Sequence, residues 1–128
     1  MKQQNIDIMN KVVDLLIEGK TISEALAEVY IKRKVEIPYT EKQMNASIYA
    51  LKFSNRIQHA LTDLGLNTVN DVVEYANKNG IKSIKNMGAK SCVEMLEKIL
   101  NYLWAHMTHE ERTEFLIDTI ERNEIYIK

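Results

Sequence analysis

Apolar residues recur with helical spacing along most of this chain, and short polar or glycine-containing segments separate the apolar stretches. Residues three and four positions apart share one face of an α-helix, so this spacing predicts helices. The first predicted helix covers residues 6–18 and ends at Gly19. Its predicted apolar face comprises Ile6, Met9, Val12, Val13, Leu16 and Ile17. Thr21 and Glu24 then form a capping-box pattern, which predicts a second helix to about Tyr30.

These two helices could open a helix-turn-helix motif that reads DNA. Residues 31–38, however, alternate like an extended segment and end at Pro38, and no recognition helix follows at the expected offset. The pattern therefore favours a helical hairpin that packs on the rest of the chain or on a second copy.

Two further capping boxes begin at Thr40 and Thr108 and predict helices over residues 41–49 and from 109 onward. The apolar face of the last helix comprises Phe115, Leu116, Thr119 and Ile120. Residues 124–128 alternate like a strand, and this pattern predicts a small ribbon with residues 34–37.

The central segment, residues 51–100, contains three helix starts. Ser54 and Thr68 are predicted N-caps, and Gly65 suits the position after a helix C-terminus. A turn at Gly88 opens a third helix that continues through Trp104, which is expected to fill a core or an interface. We therefore predict an all-α protein with an N-terminal hairpin extension (1–43), a central helical domain (44–105) and an acidic C-terminal helix and tail (106–128).

The turn at Gly88 has the chemistry of an anion site. A helix start presents backbone N–H groups without acceptors and carries partial positive charge, and Lys90 and Ser91 add an ammonium group and a hydroxyl. A nucleic-acid phosphate is one candidate anion; the alternative is an ordinary turn between packed helices. We also expect Gly88 to be structurally demanding, because a positive φ there would make Gly88→Ala cost about 1 kcal/mol or more.

The order of these elements resembles the C-terminal domain of the bacterial RNA polymerase alpha subunit, over roughly residues 48–100. That family is a compact helical domain with a helix-hairpin-helix-like element. The matching motifs are Phe53-Ser54-Asn55-Arg56, Ala60-Leu61, Gly65-Leu66-Asn67-Thr68-Val69-Asn70-Asp71-Val72 and Asn86-Met87-Gly88-Ala89-Lys90-Ser91-Cys92-Val93-Glu94-Met95.

The resemblance implies a DNA-binding surface in which Arg56 is the main DNA-contacting arginine. The narrow minor groove of A·T-rich DNA concentrates negative potential and suits an arginine, whereas the alternative for Arg56 is a solvated salt bridge. His59 stands where the family usually has asparagine, and Ala89 replaces a usual lysine. Glu94 would orient a neighbouring base rather than touch phosphate. The implied site comprises Arg56, His59, Asn86, Gly88, Lys90, Ser91 and Glu94.

Charge is unevenly distributed along the chain. The net charge is −1 and the pI is about 6.3, which argues against a strongly basic nucleic-acid coat protein. Residues 44–100 contain seven basic and five acidic residues and so carry +2. Residues 101–128 contain three basic and six acidic residues and so carry −3. The centre, unlike the tail, could face a polyanion.

Other chemistry is not indicated. The sequence has one cysteine, so it cannot form an intramolecular disulfide, and its three histidines lack zinc-ligand spacing. We expect no metal and no cofactor, and without a catalytic constellation we expect no enzyme. No apolar run suggests a signal peptide or a membrane span, so a cytoplasmic protein is expected.

These observations predict a non-enzymatic DNA-binding protein, linked to transcription regulation through the family resemblance. One alternative is an adaptor that docks on RNA polymerase, a sigma factor or an activator without touching DNA. Another is a helix-hairpin-helix accessory of a DNA-processing enzyme. The expected partners are DNA, RNA polymerase or another transcription protein, and a second copy bound through the terminal helices. Candidate surfaces for that second copy are the apolar faces of residues 6–17 and 115–120, together with Trp104.

Overall fold

The computed structural model describes residues 2–31, 35–38, 44–80, 83–84 and 87–128. Over these residues the protein forms α1 (Gln3–Ile17), α2 (Ile22–Ala27), α3 (Asn55–Asp63), α4 (Val69–Asn79), α5 (Ala89–Ala105) and α6 (His109–Arg122). Short 3₁₀ helices cover Ile48–Leu51 and Glu124–Tyr126. The described residues pair as strands only at two isolated antiparallel bridges, Tyr30 with Ile127 and Ser47 with Thr68. The predicted all-α class is confirmed.

Local capping signals set the ends of the helices. Thr21, Thr68 and Thr108 each complete a capping box, in which the threonine hydroxyl and a carboxylate three residues later satisfy two backbone N–H groups. At the end of α3, Gly65 has a φ of +75°. The N–H of Gly65 donates to Thr62 O and that of Leu66 to Leu61 O, which is the Schellman arrangement.

The terminal helices and the central helices share one hydrophobic core. Its buried side chains come from all six helices, and they include Val12 of α1, Leu26 of α2, Leu61 of α3, Leu103 of α5 and Ile120 of α6. Helix α2 packs along α5, while α1 packs against both α2 and α6. The helical hairpin therefore packs on the central helices, one of the two arrangements that the sequence pattern favoured. The division at residues 43/44 and 105/106 stays a prediction.

Helix α1 buries only part of the face that we predicted. Its buried positions are Asn5, Ile8 and Val12. Ile17, by contrast, is 78% exposed, and Ile6 and Val13 are also exposed. The helix carries two adjacent apolar stripes, and the neighbouring helices cover only one of them. Three of the six residues that the periodicity had grouped as one inward face are exposed, whereas Val12 is buried and Met9 and Leu16 pack against the core.

The predicted ribbon between residues 34–37 and the tail is wrong. The extended residues 35–38 are held by two asparagine side chains: Asn77 bonds to both backbone groups of Ile37, and Asn123 bonds to both backbone groups of Glu36. The tail pairs with the end of the hairpin, where Ile31 N donates to Tyr126 O and Lys128 N donates to Val29 O. Side-chain amides thus occupy the backbone groups that a ribbon would have used.

The predicted helix over residues 41–49 is also corrected. Residues 40–43, including its capping box, lie outside the described residues. The helical conformation at Met44 ends at once, and a turn, a bridge at Ser47 and the 3₁₀ helix Ile48–Leu51 follow. The bridge fixes this segment to the start of α4, because Ile48 N donates to Asn67 O and Val69 N donates to Ala46 O.

Candidate nucleic-acid interface

The starts of α3 and α5 lie side by side. The carboxylate of Glu94, in the second turn of α5, accepts a hydrogen bond from Ser54 N at 3.3 Å, and Ser54 is the N-cap residue of α3. The side chain of Ser54 makes no capping hydrogen bond itself, so Glu94 is the group that ties this helix start to α5. We use the term helix-start face for Arg56 and His59 of α3 together with Gly88, Lys90 and Ser91 at the start of α5.

Both helix starts present backbone donors. The first intrahelical bonds are Gln58 N to Ser54 O in α3 and Cys92 N to Gly88 O in α5. Within the described part of the chain, the N–H groups of Asn55 and Arg56 in α3 and of Ala89 and Lys90 in α5 have no acceptor, and these residues are exposed. The positive end of α3 is therefore linked to α5 near the positive end of that helix, through Ser54 and Glu94.

The cationic side chains of this face are exposed. Arg56 lies in the first turn of α3 and Lys90 in the first turn of α5, and both are open to solvent. Ser91 is half-buried and His59 is exposed. Asn86, the remaining predicted member, lies outside the described residues.

Glu94 occupies an inner position in the site. It is half-buried, accepts the Ser54 N–H, and lies 3.8 Å from the Lys98 ammonium. Lys98 also donates to the backbone oxygen of Lys52, which precedes α3 by three residues. The Glu94 carboxylate thus places negative charge between two positive helix ends and links α5 to the segment that carries Arg56.

Gly88 does not need to be glycine for its backbone conformation. It is the N-cap of α5, as the turn predicted, but its φ is −81° and its ψ is 179°, which is extended backbone that any residue adopts. A Cβ built there would meet no atom within 4 Å. The expectation of a costly positive φ at Gly88 is therefore wrong. The left-handed glycines lie elsewhere, at Gly19, Gly65 and Gly80.

One acidic residue of this region was missed by the sequence analysis. Asp63 lines a surface depression of about 510 Å³ together with Arg56, His59 and Ala60. Residues 56, 59, 60 and 63 follow helical spacing, so the period of α3 could have placed Asp63 beside Arg56. A carboxylate there would repel a polyanion, so a phosphate would be favoured only at the end of α3 that carries Arg56.

The described residues contain no group of three or more His, Cys, Asp or Glu side chains positioned to hold a metal ion. None of the helices described is both long and apolar enough to cross a membrane.

The architecture defines a small all-α domain with a compact helical centre and packed terminal helices. Residues 34–101 match the family formed by the C-terminal domain of the bacterial RNA polymerase alpha subunit. The protein belongs to this family. It is also 35% identical over 80 residues to the DNA-directed RNA polymerase subunit alpha of Ureaplasma parvum serovar 3. That alignment covers 61% of this protein but only 24% of the relative. No solved structure is significantly similar to the protein described here.

Proposed function

We infer that this protein binds DNA through the helix-start face and acts in transcription regulation. The observation that carries this inference is the pairing of two helix starts, each with exposed backbone donors and an exposed cation, Arg56 on one and Lys90 on the other. Phosphate oxygens suit such N–H groups, and the arginine suits a narrow minor groove.

Family membership supports the same inference. The residues of the helix-start face lie within the family match, and the relative from Ureaplasma parvum is a subunit of RNA polymerase. The protein spans about a quarter of that relative's length, so any association with RNA polymerase belongs to the proposal. That the protein is not an enzyme also stays a prediction.

The roles within the face differ. Arg56 enters the minor groove, while Lys90, Ser91 and the N–H groups after Gly88 hold the flanking phosphates. His59 donates to a phosphate or base edge, and the family resemblance implies that Asn86 also contacts the DNA. Glu94 keeps the two helix starts together, because its carboxylate is engaged by Ser54 N and lies near Lys98.

The test is a titration of A·T-rich and G·C-rich duplexes at two salt concentrations. Three or four phosphate contacts, each contributing about −0.9 to the slope of log K against log [salt], predict a slope of about −3. We expect weak binding, because only a few phosphate and groove contacts are proposed. We also expect a preference for the A·T-rich duplex, because its narrow minor groove suits Arg56. Absence of binding to either duplex at low salt would instead favour the adaptor, which docks on a transcription protein without touching DNA.

A further inference from the structure

An open apolar groove runs between α1 and α6, away from the residues assigned to DNA. Its apolar lining includes Met9, Val13 and Leu16 of α1 and Leu116 of α6, with Trp104 of α5 beside them. We use the term α1–α6 groove for this surface. It encloses about 440 Å³ and continues to Ile17, which is 78% exposed. An open apolar concavity of this kind is typical of a binding site.

The charged side chains that line the groove are cationic. Lys20 and Arg112 contribute to the lining, and among the described residues no carboxylate does so. This contrasts with the acidic composition of residues 101–128, which carry a net −3. A ligand that fills the groove with apolar groups would therefore gain from negative charge at its edges.

Arg112 is fixed in place by Trp104. Its Nε donates to Trp104 O at 3.1 Å, and its guanidinium lies 4.8 Å from the centroid of the indole ring. The indole also packs edge-on against Phe115, with the ring centroids 6.3 Å apart. That hydrogen bond uses only Nε, so it leaves the N–H groups of the two terminal nitrogens able to donate to a ligand. A held guanidinium loses little entropy when it pairs with a carboxylate.

A second copy of this protein does not suit the groove. A two-fold dimer places the same patch of both copies in contact. Here that patch is concave and its charged lining residues are Lys20 and Arg112, so two grooves would leave a void between them and bring like charges together. The occupant needs a convex apolar surface and carboxylates, and an amphipathic helix with acidic flanks has both.

We propose that the α1–α6 groove binds an amphipathic helix of a different protein, one that carries acidic residues beside its apolar face. Met9 and Ile17 are eight positions apart, so the α1 wall is about 12 Å long at 1.5 Å per residue. That length accommodates about two turns of a bound helix, with anchors at positions i, i+3 or i+4, and i+7. Trp104 and the residues of both walls lie outside the family match at residues 34–101, so the groove is a feature that this protein adds to the family domain.

Trp104 makes the proposal directly testable, because it is the protein's single tryptophan and it lines the groove. The probes are two synthetic amphipathic peptides of about five helical turns, without aromatic residues, that share one leucine face. One carries glutamate on its flanks and the other carries lysine. Titration of the full-length protein with the glutamate peptide should change Trp104 emission saturably, with a dissociation constant at least about tenfold below that of the lysine peptide.

Three variants locate the binding. Lys20→Glu should remove most of the preference for the glutamate peptide, and Val13→Glu should abolish binding of both peptides, because it places a charge on the apolar wall. Ile125→Glu is the matched control, since Ile125 is 82% exposed and does not line the groove. It should bind both peptides as the parent does.

Equal binding of the two peptides, or binding of neither, would overturn the proposal. So would sedimentation showing a dimer that Val13→Glu disrupts, because the occupant would then be a second copy. DNA titration of Val13→Glu separates this proposal from the DNA-binding function: unchanged DNA affinity is expected whichever way the peptide experiment falls.

Discussion

The helix-start face and the α1–α6 groove use opposite kinds of chemistry. The helix-start face consists of exposed polar groups and backbone donors within the family match, and Arg56 and Lys90 bury little surface there. The groove is lined chiefly by apolar side chains, and Leu116 contributes to the core as well as to the groove wall. Substitutions on the helix-start face should therefore change binding with little effect on folding, whereas many groove substitutions change both.

The largest expected effect tests whether both surfaces belong to one cooperative unit. Leu26 of α2 is 1% exposed in the shared core, and α2 packs along α5. Leu26→Ala should lower the free energy of unfolding by about 2–5 kcal/mol, through lost burial and a residual cavity. Denaturant unfolding followed by Trp104 fluorescence and by far-UV circular dichroism should show one coincident transition.

Ile125→Ala is the control for that experiment, because Ile125 is 82% exposed and its truncation should change stability by less than about 0.5 kcal/mol. Two separate transitions in the Leu26→Ala variant would show that the terminal helices and the family domain fold independently. The helix-start face and the α1–α6 groove would then belong to two separate folding units.

The parts of the fold that were predictable from sequence depend on neighbours along the chain. The capping boxes at Thr21, Thr68 and Thr108 and the glycine turn at Gly65 act within a few residues, so their patterns are visible in the sequence. The helix starts that form the candidate DNA site were predictable for the same reason.

The expected positive φ at Gly88 was a local error, whereas the other errors concern contacts between distant segments. Periodicity identified an apolar side of α1 but could not determine which of two adjacent stripes α2 and α6 would cover. It could not anticipate that Asn77 and Asn123 would bind the extended residues 35–38. The Glu94 to Ser54 hydrogen bond joins residues 40 positions apart, so the sequence pattern could not predict that Glu94 anchors the start of α3.

The second-largest expected effect is a loss of DNA affinity caused by a substitution in the helix-start face alone. Arg56→Ala should weaken binding to an A·T-rich duplex by about 1–3 kcal/mol, because it removes the side chain assigned to the minor groove. The melting temperature should stay nearly unchanged, since Arg56 is exposed and a surface arginine contributes little to stability. Fluorescence anisotropy and thermal melting measure the two quantities.

Lys11→Ala is the matched control, because it removes an exposed cation of α1 far along the sequence from the family match. Its effect on DNA affinity should be small. If the Arg56→Ala variant binds DNA as tightly as the parent does, Arg56 is not the main DNA contact. The adaptor interpretation, in which the protein docks on a transcription protein without touching DNA, is then favoured.

A smaller effect is expected from the capping boxes, with one box in each region. Thr68→Ala removes the cap of α4, within the family match, and Thr108→Ala removes the cap of α6, which forms a wall of the groove. Each should cost about 1 kcal/mol of unfolding free energy, because one backbone N–H loses its acceptor. Equal losses would show that both regions depend on local capping to the same degree; a loss only for Thr108→Ala would make the groove region the weaker one.

The capping box formed by Thr68 and Asp71 at the start of α4 also predicts that the free energy of unfolding falls at acidic pH. Asp71 has a lowered pKa chiefly because its carboxylate accepts the Asn67 N–H, with Thr68 adding further hydrogen bonds. A carboxyl group whose pKa is lower in the folded state stabilises the fold above its unfolded pKa, ordinarily 3.8, and this contribution disappears as the pH falls through the folded pKa. Asp71→Asn should therefore reduce stability near neutral pH and make little difference well below pH 3.8. A difference that does not vary with pH would contradict a role for the charge.

The smallest effect on stability is expected at Gly88, where binding and folding should separate most clearly. Alanine is a poorer N-cap than glycine, but it also restricts the unfolded state, and the extended φ of −81° accepts a Cβ that meets no atom within 4 Å. The opposing terms should leave the unfolding free energy of Gly88→Ala within about 0.5 kcal/mol of the parent's.

The same substitution should affect DNA binding, because the new methyl group would lie beside the exposed N–H groups of Ala89 and Lys90. A phosphate held there would lose roughly one hydrogen bond, worth about 0.5–1.5 kcal/mol. Weaker DNA binding at unchanged stability would mean that glycine at this position serves the ligand, whereas unchanged affinity would remove the α5 start from the proposed contact and leave Arg56 and α3 as its centre.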